Sequence, residues 1–177
     1  MLESTLKFIR CPKCNSNLNV EIYKNSNEID EGILKCEKCQ LKFPIIDKIP
    51  IMFTDFKKYI SEHKILSGKL YKLASSNEIK KFLKLSWNNL IWNKIDKTEI
   101  EERWAQIYNI NKNNEFYKII KSYLVSIPKS KLVLEYGCSI GITTKHISDS
   151  SEMVFGIDKS FNAIHLAKKV QKNNLDY

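Results

Sequence analysis

No stretch of this sequence approaches the roughly 18 apolar residues that a membrane-spanning helix needs, and none is expected to enter a bilayer. The opening MLESTLKFIR carries early charge and lacks both an apolar core and a small-residue cleavage site, so no secretory signal is read there. A cytoplasmic chain without membrane association is the resulting expectation. No segment repeats and no tract is of low complexity. Histidine is scarce: His63, His146 and His165 are scattered, and each is read as packed or solvated instead of as a catalytic base.

What is present is a globular composition. The chain has 177 residues, 43% of them hydrophobic, enough for one ordinary domain or two small ones. The net charge of +9 is uneven. Residues 1–55 balance eight Lys/Arg against eight Asp/Glu, residues 56–130 carry fifteen against seven, and residues 131–177 carry six against five. A basic middle can attract phosphate-rich partners by counterion release, so nucleic acid is one partner reading. The other is a solvated surface on a chain rich in Lys, Asn and Ile.

Four of the five cysteines form two knuckles, Cys11-Pro-Lys-Cys14 and Cys36-Glu-Lys-Cys39. Each C-x-x-C aims two thiolates at one centre, and two such pairs supply the four sulfurs of tetrahedral Zn²⁺. Two disulfides would need an oxidising compartment, and a redox C-x-x-C needs only one pair. With no open coordination position the ion would be structural. Lys13 and Lys38 are read as helping to hold the thiolates deprotonated. A segment of this size buries little, so metal binding should supply much of its folding free energy.

The run from Cys36 through Phe43, Pro44, Ile45, Ile46, Asp47, Lys48, Ile49 and Pro50 resembles the small zinc-ribbon proteins that activate tRNA, rRNA and release-factor methyltransferases. Asp47, Ile49 and Pro50 match that family's Asp-Gly-Ile-Pro turn, with Lys48 where glycine is usual. The resemblance covers residues 6–53. It implies a ribbon that performs no chemistry and covers an apolar flank of a methyltransferase.

Residues 56–127 read as a helical linker. Ser75 with Glu78, and Thr98 with Glu101, have capping-box spacing, and Asn113 can cap a third helix with Phe116, Ile119, Ile120, Tyr123, Leu124 and Ile127 on one stripe. Pro128 stops it. The three tryptophans fall here and are read as packing residues. The stretch from Lys24 to Gly32 is polar and reads as a loop or hairpin tip.

Residues 128–177 change period. Leu132–Leu134 and Met153–Ile157 are short buried strands, each followed by a helix, from about Ile142 to Ser148 and from Phe161 to Lys172. The expected fold is therefore an α+β zinc ribbon (1–55), a helical linker (56–127), and two strands and two helices opening an α/β Rossmann-like sheet (128–177). Between the strands lies Glu135-Tyr-Gly137-Cys138-Ser139-Ile-Gly141, and the second strand ends in Asp158. A Gly-containing loop with a strand-end acid suits NAD as well as S-adenosylmethionine (SAM).

This stretch resembles the first two motifs of class I SAM-dependent methyltransferases, with Ser139 where the middle glycine is usual. By that resemblance Asp158 would bind the ribose, Gly137, Cys138, Ser139 and Gly141 would line the methionine part, Glu135 would orient its amino group, and Lys159 would lie near the adenine. No catalytic residue can be named, because the later motifs that choose and activate an acceptor are not in the sequence. The expectation is a SAM-dependent methyltransferase of unknown acceptor, truncated and inactive as it stands. The alternative is a non-enzymatic zinc-ribbon adaptor that stabilises or activates a separate methyltransferase, with a methyltransferase subunit or a completing chain as partner.

Overall fold

The computed structural model describes residues 1–86, 106, 114–126, 130–169 and 172–177. The chain divides into two compact units, Met1–Lys97 and Thr98–Tyr177. The helix expected after the Thr98–Glu101 capping box, apart from Gln106, and all three tryptophans lie outside the described residues. No helix among the described residues is long and apolar enough to cross a membrane.

The first unit opens with a 3-10 turn, Glu3–Lys7, followed by an antiparallel sheet in the order β1-β2-β3-β4. These strands are β1 (Leu18–Asn25), β2 (Ile29–Cys36), β3 (Lys42–Ile46) and β4 (Ile49–Pro50). Met1, Cys11, Ile29, Leu34, Cys36, Phe43 and Ile45 form one buried cluster.

The stretch 24–32 does hold a hairpin tip, at residues 26–28, but the rest of it is strand. Ile29–Gly32 belongs to buried β2. The polarity misleads because β2 and its approach carry buried acids that are each partnered. Glu28 pairs with the Met1 ammonium at 3.1 Å and with Lys48 at 3.4 Å. Asp30 accepts from the Ser26 hydroxyl at 3.0 Å. Paired and hydrogen-bonded in this way, carboxylates can be buried without the cost of an isolated charge.

The β3–β4 turn also departs from expectation in its means, though not in its shape. Ile46 pairs with Ile49, leaving the two-residue loop Asp47-Lys48 with φ of 50° and 68°. Both residues are left-handed, as a type I′ hairpin requires. Lys48 adopts the conformation that glycine would take without strain because it is held at three points. Its N–H donates to Asp30 O at 2.9 Å, its carbonyl accepts from the Met1 ammonium at 2.5 Å, and its Nζ reaches Glu28.

Helices α1 (Phe56–Glu62), α2 (Lys64–Leu73) and α3 (Asn77–Ser86) complete the first unit. Asp55 caps α1 by accepting from Lys58 N–H at 2.8 Å. Ser75 does not cap α3 as the spacing suggested. Its hydroxyl and N–H, with the N–H of Ser76, donate to the buried Glu31 carboxylate of β2 at 2.6, 2.7 and 2.8 Å. The helix is therefore capped by the sheet, which ties α3 to β2.

The second unit contains α4 (Glu115–Ser126), β5 (Ser130–Tyr136), α5 (Ile142–Ser148), β6 (Ser151–Ile157), α6 (Phe161–Ala167) and β7 (Leu175–Asp176). Asn114 caps α4, accepting from Tyr117 N–H at 3.2 Å, and the expected cap, Asn113, lies outside the described residues. The sheet is parallel, in the order β5-β6-β7, and has three strands where the sequence suggested two. Helix α6 ends at Ala167, earlier than expected, so the chain can turn back to form β7. Asn174 fixes that return, its side-chain amide donating to Ser148 O at 2.8 Å and Ser151 O at 2.9 Å.

Side chains on adjacent strands alternate between faces. Leu132, Leu134 and Tyr136 stand in register with Met153, Phe155 and Ile157 on one of them. That face is poorly covered: Leu134 is 62% exposed and Tyr136 88%. Helix α4 likewise leaves Phe116, Ile119 and Tyr123 exposed.

Candidate functional site

The four knuckle cysteines meet. Their Sγ atoms all lie within 4.8 Å of one another, with Cys11 and Cys39 at 3.5 Å and Cys14 and Cys36 at 3.4 Å. Four sulfurs at the usual ~2.3 Å from a tetrahedral Zn²⁺ would stand about 3.8 Å apart. The observed spread brackets that value, so these thiols can hold a structural metal ion of the Zn²⁺ type.

Local backbone chemistry builds both knuckles alike. Asn15 N–H returns to Cys11 O at 2.8 Å, and Gln40 N–H to Cys36 O at 3.2 Å. Asn15 and Gln40 each take the left-handed conformation, with φ of 57° and 59°, which turns the chain away behind the second sulfur. Cys39 N–H donates to Cys36 Sγ at 3.4 Å.

The thiols differ in acidity. Cys14 is lowered to about 6, chiefly by the hydroxyl and N–H of Ser16. Burial works against ionisation of Cys36, but donors including the N–H groups of Cys39 and Lys38 lower it overall. Cys39 accepts from Leu41 N–H, which lowers it, yet burial and proton sharing with the other thiols push it up to about 12. Ser16 therefore does for Cys14 what the sequence assigned to lysine side chains, and Lys38 acts through its backbone.

The second assembly lies at the carboxyl ends of the parallel strands, where open α/β sheets bind ligands. Gly137, Ser139 and Gly141 have φ of 76°, 50° and 76°. The three motif positions are thus the left-handed ones, and Ser139 pays roughly 1–2 kcal/mol for standing where glycine would be unstrained. Gly137 and Cys138 N–H groups donate to Ile157 O at 2.8 and 3.1 Å, tying the loop to the end of β6. Asp158 is fixed there as well. Its carboxylate accepts from Ser139 N–H at 2.9 Å and Ser160 N–H at 2.8 Å.

Glu135 is half-buried, and burial raises its carboxyl above the ordinary range. Cys138 is buried and pushed up to about 12 by burial and then by the charges of Glu135 and Asp158, which makes it an inert thiol. Lys159 is exposed directly after the acid. The structure thus brings Glu135, Gly137, Cys138, Ser139, Gly141 and Asp158 to one end of the sheet. His146 lies on α5 and is lowered by burial first and by Lys121, Lys145 and Lys172 after it. Three residues of this region were not singled out from sequence: Thr144, Gly156 and Tyr177. A turn of helix, a strand glycine and a terminal tyrosine carry no motif, and only the register reveals them.

Compared with protein-family models, residues 3–47 match the family described as Trm112p-like protein. The match spans both cysteine knuckles and reaches the first residue of the β3–β4 turn. No curated protein matches the chain.

Proposed function

We propose that this chain serves SAM-dependent methylation as a zinc-ribbon adaptor, stabilising or activating a separate methyltransferase. The observation that carries this reading is the four-thiol centre set within the stretch similar to Trm112p-like proteins. Zn²⁺ at that centre is structural: all four positions are filled by sulfur, and none is left for a substrate. The test is co-purification of the tagged full chain and of its Cys36→Ser variant. A methyltransferase retained by the first and lost by the second, with activity that falls on its separation, is expected. Its absence from both would remove the adaptor reading.

A second reading is that the segment 128–177 opens a class I methyltransferase domain, after the ribbon (1–55) and helical segment (56–127). The left-handed residues at 137, 139 and 141, together with the fixed Asp158 carboxylate, favour it. SAM would supply the transferable methyl group, held by Glu135, Gly137, Cys138, Ser139, Gly141, Asp158 and Lys159. The fit is good at Glu135, whose Oε2 is buried without a hydrogen-bond partner and could receive an amino group. The bare sheet face means that methyl transfer, as distinct from cofactor binding, would need covering elements from a completing chain. Calorimetry with S-adenosylhomocysteine tests this reading. Binding that disappears in Asp158→Ala supports it, and no binding to the full chain sinks it. A nucleic-acid partner rests on the charge of residues 56–130 alone, and no site geometry among the described residues adds to it.

A further inference from the structure

Three buried oxygens lie near the loop without a hydrogen bond: Glu135 Oε2, Thr144 Oγ1 and Tyr177 Oη. Thr144 is 0% exposed and Tyr177 7%. Such orphaned groups cost on the order of 1–3 kcal/mol each, so their gathering in one place calls for a reason.

The sheet register supplies the arrangement. Glu135 stands opposite Gly156, and Phe155 opposite Asp176, which places Tyr177 next in the same row across β5, β6 and β7. Gly156 has no side chain, and the Tyr177 ring occupies the space one would take: a Cβ there would stand 2.6 Å from Cδ1 and 2.7 Å from Cε1. The ring crosses β6 through that gap, and its hydroxyl ends against Gly141 of the loop. The Thr144 hydroxyl, in the first turn of α5, favours ionisation of both the Glu135 carboxyl and the Tyr177 phenol, against the larger opposing effect of burial at each. Both hydroxyls are donors in need of an acceptor, and Glu135 Oε2 is an acceptor in need of a donor.

We propose that Thr144 and Tyr177 are positioning residues for Glu135, orienting its carboxylate toward the amino group of an amino-acid-bearing nucleoside at the loop. The link closes directly or through one buried water, which ordinarily takes two to four polar partners. The ligand half of this inference rests on the SAM reading above, and Gly156 is the position that permits the crossing.

The experiment uses the full chain and its Tyr177→Phe, Thr144→Val and Thr144→Ser variants. Calorimetry compares S-adenosylhomocysteine with 5′-methylthioadenosine, which lacks the amino-acid part. Tyr177→Phe and Thr144→Val should each weaken the first about tenfold and leave the second within about twofold, and Thr144→Ser should restore binding. Equal loss for both ligands, or loss for neither, overturns the proposal. If the wild-type chain binds neither nucleoside, the SAM reading falls and the ligand half falls with it. The positioning half is then decided without ligand, by ¹³C NMR titration of the Glu135 carboxyl. Its midpoint should move up in Tyr177→Phe and Thr144→Val, which remove donors to the carboxylate. An unmoved midpoint in both overturns it.

Discussion

The two units treat their sheets differently. In Met1–Lys97 the ribbon has four thiols placed to hold a metal ion, a closed cluster around Leu34 and Phe43, and a helix capped by a strand carboxylate. In Thr98–Tyr177 a parallel sheet of three strands leaves Leu132, Leu134, Tyr136 and Ile157 in solvent. The first shows how a small sheet becomes self-sufficient. The second shows a sheet whose loop end is fixed while its apolar face stays open.

The largest effect expected from breaking that contrast is on the metal. Chelation, or Cys36→Ser, should collapse the first unit, because structural Zn²⁺ typically supplies about 10–16 kcal/mol of apparent binding free energy near neutral pH. NMR should show the amides of β1–β4 lost and those of β5–β7 retained. Loss of both sets together would mean that the units do not fold independently. Metal affinity should fall with acid, since every sulfur must be a thiolate, with Cys14 the last expected to need help.

Next in size is a matched pair of leucines in the second unit. Leu175 is fully buried and Leu134 is 62% exposed. Leu175→Ala should cost about 2–5 kcal/mol in urea melts, and Leu134→Ala should stay within about 0.5 kcal/mol. A large cost at Leu134 would show that its face is covered in solution.

A third effect is on the capped helix. Glu31 is held below its ordinary value of 4.5: burial alone would raise it, but the donors from Ser75 and Ser76 outweigh burial. A depressed carboxyl adds stability above its unfolded pKa and loses it as pH falls through the folded value. The first unit should therefore weaken below about pH 4.5. Glu31→Gln should flatten that slope and cost about 1–3 kcal/mol at neutral pH. An unchanged slope would assign acid sensitivity elsewhere.

The smallest effect is at the β3–β4 turn. Lys48→Ala should cost about 1 kcal/mol by removing the Lys48–Glu28 and Lys48–Asp30 pairs while keeping the left-handed strain. Lys48→Gly should recover most of it, since glycine takes φ of 68° freely. If the alanine variant matches wild type, the ion pairs add nothing.

These contrasts also explain what could be read from the residues alone. The metal centre was legible because C-x-x-C is a local geometry, complete within four residues wherever the chain goes. The loop at 137–141 was legible for the same reason. Strand β2 was not, because Glu28, Asp30 and Glu31 look like loop chemistry until their partners at Met1, Lys48 and Ser75 are brought from far along the chain. Strand β7 is two residues long and depends on Asn174 and on pairing with β6, neither of which leaves a periodic trace. The row Glu135–Gly156–Tyr177 exists only in the register.

The two knuckles flank the β1–β2 hairpin, with 21 residues between Cys14 and Cys36. Joining the ends of a flexible segment that long costs roughly 3 kcal/mol of chain entropy. Either knuckle can grip an ion with two thiolates while the intervening strands are still unpaired. An ion so held would act as a tether: once the second knuckle closed on it, β1 and β2 would start their pairing from ends already brought together. Metal capture would thereby convert a long-range search into a local one.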